Sequence, residues 1–523
     1  MLQRSVRASL FLLLLFVTPL GAQEETLDAR LKEIDEYAAR MREDWRVPGF
    51  ALAIVKDDRV VLSKGYGVRE MGKPEAVDAD TLFAVASNTK AFTAAALAML
   101  VDEGKVKWDD PVMKYLPAFQ LSDPYVTREL TVRDLLSHRS GLATFAGDLL
   151  WYNTTYDRAE ILRRARFLKP VSSFRSAYGY QNIMFLAAGE VVSVVSGKSW
   201  DQFIKERFFG PLGMKNSTTT IRELPAAGGN VATPHNEMDG KLRTVRYSNS
   251  DAAGGAAAIN SSARDMAQWL RLQLGRGRFE GRLVFAPARS REMWTPHTII
   301  PISELGERVN PTRHFRAYGL GWSMSDYHGR KVIEHGGALD GMLSQTGMIP
   351  EENLGIVVLS NSETALPSTL MLKVFDVFLG VPKRDWSAEA LERTRQAKAA
   401  SEAAAKSREE SRAANTKPSL ALASYAGAYA GDFYGEARVA EESGKLVLRL
   451  APAPNFVGDL EHWQFDTFRV KWRDSVNYPF PRGFVTFVLD AQGQVEELKI
   501  DVPNPDFDFK ELELKRVRPG SKD

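Results

Sequence analysis

The sequence predicts an α+β fold: an antiparallel sheet assembled from both ends of a long first unit, with a helical region inserted between, followed by a small all-β domain, a barrel or a sandwich. Three observations carry the prediction. Strand-like runs near residues 50–67 and 332–359 flank a long stretch of mainly helical pattern. A charged, Ala-rich stretch over 386–417 has no apolar stripe and separates the first unit from the C-terminal segment. Beyond Pro418 the chain turns to short Tyr-, Val-, Leu-, Phe- and Trp-rich runs alternating with Gly, Asp and Asn turns.

From the start of the chain, Arg4 and Arg7 precede an apolar run over 10–17, then Thr18, Pro19, Gly21 and Ala22. This is the layout of a secretory signal, so residues 1–22 are expected to be removed and the protein exported, to a periplasm or outside the cell. A buried helix is the other option, but Pro19 and Gly21 stop the run early. It falls far short of the ~20 residues a membrane span needs. No cysteine follows it, so lipid attachment is excluded, and no membrane span is expected after cleavage.

Residues 23–385 are read as one domain. An amphipathic helix over 27–43 leads into a hairpin, 50–55 and 60–67, joined across Lys56-Asp57-Asp58-Arg59. The helical pattern runs from Ala91 to about Trp322, broken by Pro and Gly loops. Strands over 332–334, 344–349 and 355–359 follow, then a helix from Pro367, suited to a first helical position, to Leu379. Residues 386–420 form a charged helical linker; apolar a and d positions for a coiled coil are lacking. Residues 421–523 hold the small β domain, with strands over 446–450, 465–472, 484–489 and 495–500.

Composition narrows the chemistry. Lys+Arg 68 against Asp+Glu 66 leaves a formal charge of +2, which makes no case for nucleic acid as a partner. The absence of cysteine excludes disulfides, thiol nucleophiles and thiolate metal sites. No two of the seven histidines form a His-Glu-x-x-His pair. Neither a metal nor a cofactor is expected.

The chemical signal is Ser87-Asn88-Thr89-Lys90, running into an Ala-rich helix. A helix mouth supplies unpaired N–H groups and a partial positive charge that favour an oxyanion. Lys90, one turn on, shares the helix face of Ser87; in apolar surroundings it would shed its proton and could accept that of the serine. The ordinary alternative is an N-cap serine beside a solvated lysine. Against it, no other Ser-x-x-Lys occurs, and the helix is apolar all round. No Gly-x-Ser-x-Gly elbow or phosphate loop competes.

These residues resemble the serine β-lactamase and penicillin-binding protein family, closest to the class C branch with its esterase and D-aminopeptidase relatives. That family orders Ser-x-x-Lys, Tyr-x-Asn and Lys/His-x-Gly; here stand Ser87–Lys90, Tyr180-Gln181-Asn182 and His335-Gly336-Gly337. Leu135-Leu136-Ser137-His138-Arg139-Ser140-Gly141-Leu142, Pro211-Leu212-Gly213-Met214, Gly254-Gly255 and Tyr318-Gly319-Leu320-Gly321-Trp322 look like family segments too. Tyr247-Ser248-Asn249 also fits the second motif, but Tyr180 is preferred because an apolar helix and Pro-Leu-Gly-Met come after it. The resemblance implies the β-lactamase/transpeptidase fold and a lipocalin-like appendage. It implies Ser87, Lys90 and Tyr180 as catalytic residues, and Asn182, His335, Gly336, Gly337 and Ala338 as substrate-binding ones. The oxyanion hole would be the N–H groups of Ser87 and Ala338. Tyr180 serves as a base near neutral pH only if Lys90 lowers its pKa.

Many relatives place lysine where His335 stands, to hold a substrate carboxylate; a histidine is largely neutral near pH 7. The implied function is therefore an exported serine hydrolase of peptidase or esterase type, acting on a small-molecule or peptide substrate with an amide or ester bond. A β-lactamase or D,D-carboxypeptidase is the alternative, and a non-catalytic penicillin-binding receptor a weaker one. Trp151, Tyr152, Tyr156 and Trp322 are candidate cleft walls, and His138 reads as structural. The β domain either shapes the cleft or mediates assembly, with a homo-oligomer among the options.

Overall fold

A computed structural model describes residues 26–518 except 226–228, 239, 479 and 505. The expected secretion signal lies outside the described residues. Helix α1 (Leu27–Asp44) is capped by Thr26, whose side chain accepts from the Ala29 amide, and buries Ile34, Tyr37, Ala38 and Met41. Strands β1 (Gly49–Lys56) and β2 (Arg59–Gly67) form the expected hairpin. Its turn residues Asp57 and Asp58 sit at φ 50° and 60°, matching the twist of the strands.

Helices α2 (Thr89–Asp102), α3 (Asn182–Ser196) and α4 (Ala263–Leu274) are the longest helices of the inserted region. Residues 89–100 of α2 are buried on every side, so this helix runs through the middle of the core. It meets the loop beside α3 at Gly255, whose carbonyl accepts from Thr93 Oγ1 at 2.7 Å. A methyl group on Gly255 would sit 2.9 Å from both the Phe185 carbonyl oxygen and Thr93 Oγ1.

The sheet is completed by β3 (Thr298–Ile299), β4 (Arg316–Tyr318), β5 (Ser323–Tyr327), β6 (Arg330–Leu339), β7 (Met342–Ile349) and β8 (Leu354–Ser360). Its order is β2-β1-β8-β7-β6-β5-β4-β3, with every pair antiparallel. Both ends of the unit thus meet at the β1–β8 ladder. Strand β1 alternates accordingly: Ala51, Ala53 and Val55 face the α2 core, while Phe50, Leu52 and Ile54 face α1 and α5 (Leu366–Leu379). Strands β3 to β5 fall inside or beside a stretch whose sequence reads as mainly helical; they are two to five residues long, too short for period-2 alternation to register.

Helix α6 (Trp386–Glu410) is pinned at its start, where Trp386 Nε1 donates to Asp376 at 2.6 Å and Tyr37 Oη to Asp385 at 3.0 Å. Its later turns are exposed. Then come β9 (Gly427–Gly431), β10 (Gly435–Glu442), β11 (Lys445–Leu450), β12 (Val457–Gln464), β13 (Thr467–Trp472), β14 (Gly483–Leu489), β15 (Val495–Asp501) and β16 (Leu514–Arg516). They close into a barrel through the β9–β16 pair. At this strand number the interior is just filled by side chains, and Tyr429, Val439, Leu448, Phe468 and Phe487 are buried there. Among the described residues no single helix is long and apolar enough to cross a membrane.

Gly255→Ala is expected to lower stability by about 1–3 kcal/mol, the cost of overpacking a tight contact, read as a fall in Tm by thermal denaturation.

Candidate active site

The chain reaches Ser87 through Ala86, a non-glycine residue at φ 47°. Such a conformation costs of order 1 kcal/mol and is tolerated only where the surroundings impose it. Here Ser344 of β7 imposes it from below. Its Oγ donates to the Val85 carbonyl at 2.8 Å and accepts from Asn88 Nδ2 at 2.8 Å. Ser87 is left at the mouth of α2 with its hydroxyl beside Lys90.

Lys90 has no exposure to solvent. Its Nζ lies 3.0 Å from Ser87 Oγ, 2.6 Å from Asn182 Oδ1 and 3.1 Å from the Ala256 carbonyl oxygen. Burial pushes its pKa down to about 7, opposed by the charge of Asp148. The three contacts decide what the neutral amine can do. Two of them, an amide oxygen and a backbone carbonyl, can only accept, so they take its two N–H groups. Its lone pair then has one place to point, the Ser87 hydroxyl. Loss of one proton from the ammonium converts a donor to Ser87 into an acceptor from it.

Tyr180 lies against the same amine, with Lys90 Nζ 4.7 Å from the ring centroid. Burial raises its pKa well above the ordinary tyrosine value, with a hydrogen bond to Ser87 acting the other way. The environment therefore keeps Tyr180 a phenol and makes Lys90 the group poised to lose a proton near neutrality. The condition set by the sequence, that Lys90 pull the tyrosine down, is outweighed by desolvation. Tyr247, the rival, instead donates to Asn260 Oδ1 at 2.8 Å. His138 is fully buried at φ 55°, its ring 4.2 Å from that of Tyr180. Its Nδ1 accepts from the Gln181 amide at 3.0 Å, which fastens the Tyr180-Gln181-Asn182 turn.

Strand β6 closes the opposite side. A side chain on Gly337 would collide with the Val85 carbonyl oxygen and come within 3.0 Å of the Ser87 nitrogen. Glycine at this point lets the strand backbone pass directly beside the nucleophile. Ala338 follows with its side chain exposed, and the Gly336–Ala338 segment pairs with Leu343–Gln345 of β7. His335 is 5% exposed. Its Nδ1 is 2.6 Å from the Gly336 carbonyl oxygen and its Nε2 2.7 Å from Tyr318 Oη. A carbonyl only accepts, so the proton sits on Nδ1 and Nε2 accepts the Tyr318 hydroxyl. Burial, with the Lys90 charge, pushes its pKa down to about 3. His335 is a neutral ring locked to β4, not a fixed cation.

The fold thus brings Ser87, Lys90, Tyr180, Asn182 and the 335–338 strand together. Three further partners are not singled out as site residues by the sequence. Ala256 and Tyr318 are reached only through tertiary contact, although both stand in or next to segments that look like family segments. Asp148, 3% exposed, accepts from Asn182 Nδ2 at 2.6 Å; it lies in a loop with nothing to mark it. Of the candidate cleft walls, Trp322 is entirely buried and belongs to the core. Trp151, Tyr152 and Tyr156 instead line the junction with the barrel: Tyr152 packs on Phe507 at 4.4 Å, and Tyr156 Oη donates to the Tyr434 carbonyl at 2.6 Å.

Comparison with known proteins places the chain in a family. The family model described as Beta-lactamase matches residues 34–376, and one described as a domain of unknown function (DUF3471) matches 411–516. An unguisins hydrolase of Aspergillus campestris is 30% identical over 356 residues, which are 66% of this chain and 64% of that protein. The chain thus spans a little under two thirds of the length of this fungal relative. Penicillin-binding protein 4 of Amycolatopsis lactamdurans is 29% identical over 336 residues, 62% of this chain and 84% of that protein. The structure of an octameric penicillin-binding protein homologue from Pyrococcus abyssi superposes with a TM-score of 0.60 at 21% identity, covering 93% of this chain and all of that one.

Two outcomes are expected. The acylation rate should rise with pH through an apparent pKa near about 7, because the depressed Lys90 must be neutral to act; stopped-flow kinetics across pH 5–9 checks it. His335 should stay neutral throughout that range, so its imidazole nitrogen resonances should not titrate when followed by NMR.

Proposed function

The chain belongs to the Beta-lactamase family, and from that premise we propose that it is an exported serine hydrolase that cleaves an amide or ester bond, in the manner of a peptidase or esterase, through an acyl-enzyme on Ser87. The observation that carries the reading is the restriction of the Lys90 lone pair to the Ser87 hydroxyl. Ser87 Oγ attacks the substrate carbonyl carbon while its proton passes to Lys90 Nζ. The carbonyl oxygen becomes an oxyanion facing the N–H groups of Ser87 and Ala338. The Tyr180 hydroxyl, between Ser87 and the departing group, passes a proton outward as the leaving group separates, and is resupplied from Lys90. Water then attacks the acyl carbon, the bond to Ser87 Oγ breaks, and the water's proton passes by way of Lys90 to that oxygen, regenerating Ser87.

His335 supports a substrate that needs no fixed cation at this strand, since the ring is neutral and engaged by Tyr318. A β-lactam or a D-alanyl peptide with a free carboxylate would lack the lysine that many relatives offer. The alternative of a β-lactamase or D,D-carboxypeptidase is favoured by the likeness to a protein named penicillin-binding protein 4. Export is supported by the basic, apolar and small-residue order of residues 4–22.

Purified protein assayed with a short-chain nitrophenyl ester, a D-alanyl peptide with a blocked C-terminus, one with a free carboxylate and a chromogenic cephalosporin is expected to turn over the ester or the blocked peptide, with the free-carboxylate peptide and the cephalosporin cleaved slowly or not at all. Fast cephalosporin turnover would replace this reading with the β-lactamase one. In Ser87→Ala the adduct seen by intact mass should vanish, and kcat should fall by about 10³-fold or more. An adduct that persists would remove Ser87 as nucleophile.

A further inference from the structure

Asp148 sits across the Asn182 amide from Lys90 and takes no part in the proton transfers of acylation. Its Oδ2 accepts from Asn182 Nδ2 at 2.6 Å and its Oδ1 from Trp151 Nε1 at 2.9 Å. Both partners can only donate, so an ionised carboxylate satisfies them best. On its other side the same amide gives its oxygen to Lys90 at 2.6 Å. Turning that amide over would set N–H against ammonium and C=O against carboxylate.

The loop that carries Asp148 is held from the barrel. The Gly147 amide donates to Glu511 Oε2 at 3.0 Å. Tyr152 packs on Phe507 at 4.4 Å and Phe480 at 5.6 Å, and its hydroxyl donates to Asp340 at 2.7 Å. The titratable groups around Asp148 are Lys90 from α2, Asp506 and Glu511 from the barrel. Beyond them, Tyr180, His138 and His335 face Lys90, the last two as neutral rings. Burial and Asp506 push the Asp148 carboxyl up to about 7, against the pull of its two donors and Lys90.

We propose that Asp148 is a positioning residue for acylation: it locks the Asn182 amide with its oxygen toward Lys90, supplies the counter-charge to the ammonium formed there, and is held in place by the C-terminal barrel through Glu511. The inference rests on the Ser87–Lys90 reading. When the Ser87 O–H bond breaks, the proton moves to Lys90 Nζ and the oxygen pair forms the bond to the acyl carbon. A positive charge then appears on a side chain without solvent. Asp148 gains no proton in the step; once it is ionised, above about pH 7, the opposite charge is in place before the proton moves and costs no reorganisation. The barrel thereby becomes part of the catalytic apparatus without touching substrate.

The test uses the full chain and single-turnover acylation of Ser87 by a nitrophenyl ester across pH. In Asp148→Asn one amide N–H must face a donor, so the plateau rate is expected to fall about tenfold or more. The acidic limb should also move to lower pH, because Lys90 without its counter-charge gives up its proton sooner. Glu511→Ala should move both in the same direction by less, and Glu511→Gln, which keeps an acceptor for Gly147, should restore them. If circular dichroism shows Asp148→Asn unfolded, Trp151→Phe, which removes one donor from the carboxylate, carries the test with the same expected signs. A wild-type rate, or a slower rate with an unmoved limb, overturns the proposal. Wild-type protein that acquires no adduct on Ser87 would instead bring down the proposed function on which it rests.

Discussion

Everything at the centre of this molecule answers to the burial of one amine. Lys90 has no contact with water, and an isolated ammonium in that position would cost several kcal/mol. The fold meets the cost in two ways. It lowers the pKa until the neutral form is accessible, and it lines the amine with oxygens that stay useful in either protonation state. Asn182 Oδ1 and the Ala256 carbonyl take N–H groups from ammonium and amine alike. Only the third contact, with Ser87, changes sign when the proton leaves. That asymmetry is the chemical content of the site.

The same constraint explains why the surrounding elements are what they are. A helix buried on every side is needed to carry Lys90 away from solvent, and Ala-rich composition lets its neighbours come close. Gly255 brings the Ala256 carbonyl within reach. Gly337 lets β6 run against the Ser87 nitrogen. Asn182 reaches Lys90 because its turn is fastened by His138, a histidine that burial keeps neutral. His335 follows suit: next to an intermittent positive charge, a buried neutral ring tied to Tyr318 is stable where a second cation would not be.

The barrel is joined to the catalytic unit at several points rather than hung from a tether. Gly147 meets Glu511, Thr155 meets Pro452, Tyr156 meets Tyr434 and Arg164 meets Asp432 and Phe433. These partners lie along 147–164, the segment that leads from Asp148 into the helical region. Aromatics there looked like cleft walls in the sequence because size and polarity are the same at a pocket and at a domain junction. The two differ in the identity of the opposite surface, which local sequence does not encode.

By itself the sequence determined the features that are local or strongly periodic. The hairpin over 49–67, the all-apolar helix behind Ser87, the charged spacer and the β-rich end were legible because 2.0- and 3.6-residue periods and turn chemistry act over short spans. Ser87, Lys90, Tyr180, Asn182 and the 335–338 run were legible because each stands in a short motif, and the motifs keep a set order. Tertiary structure decided the rest. Strands β3 to β5 exist through pairing with distant partners, and Tyr318 matters only because that pairing sets it against His335. Asp148 carries no motif at all; it counts because folding removes solvent and places a carboxylate across an amide from Lys90. The relative basicity of Lys90 and Tyr180 was likewise beyond the sequence, since both pKa values are set chiefly by desolvation, a property of the assembled core and not of neighbours in the chain.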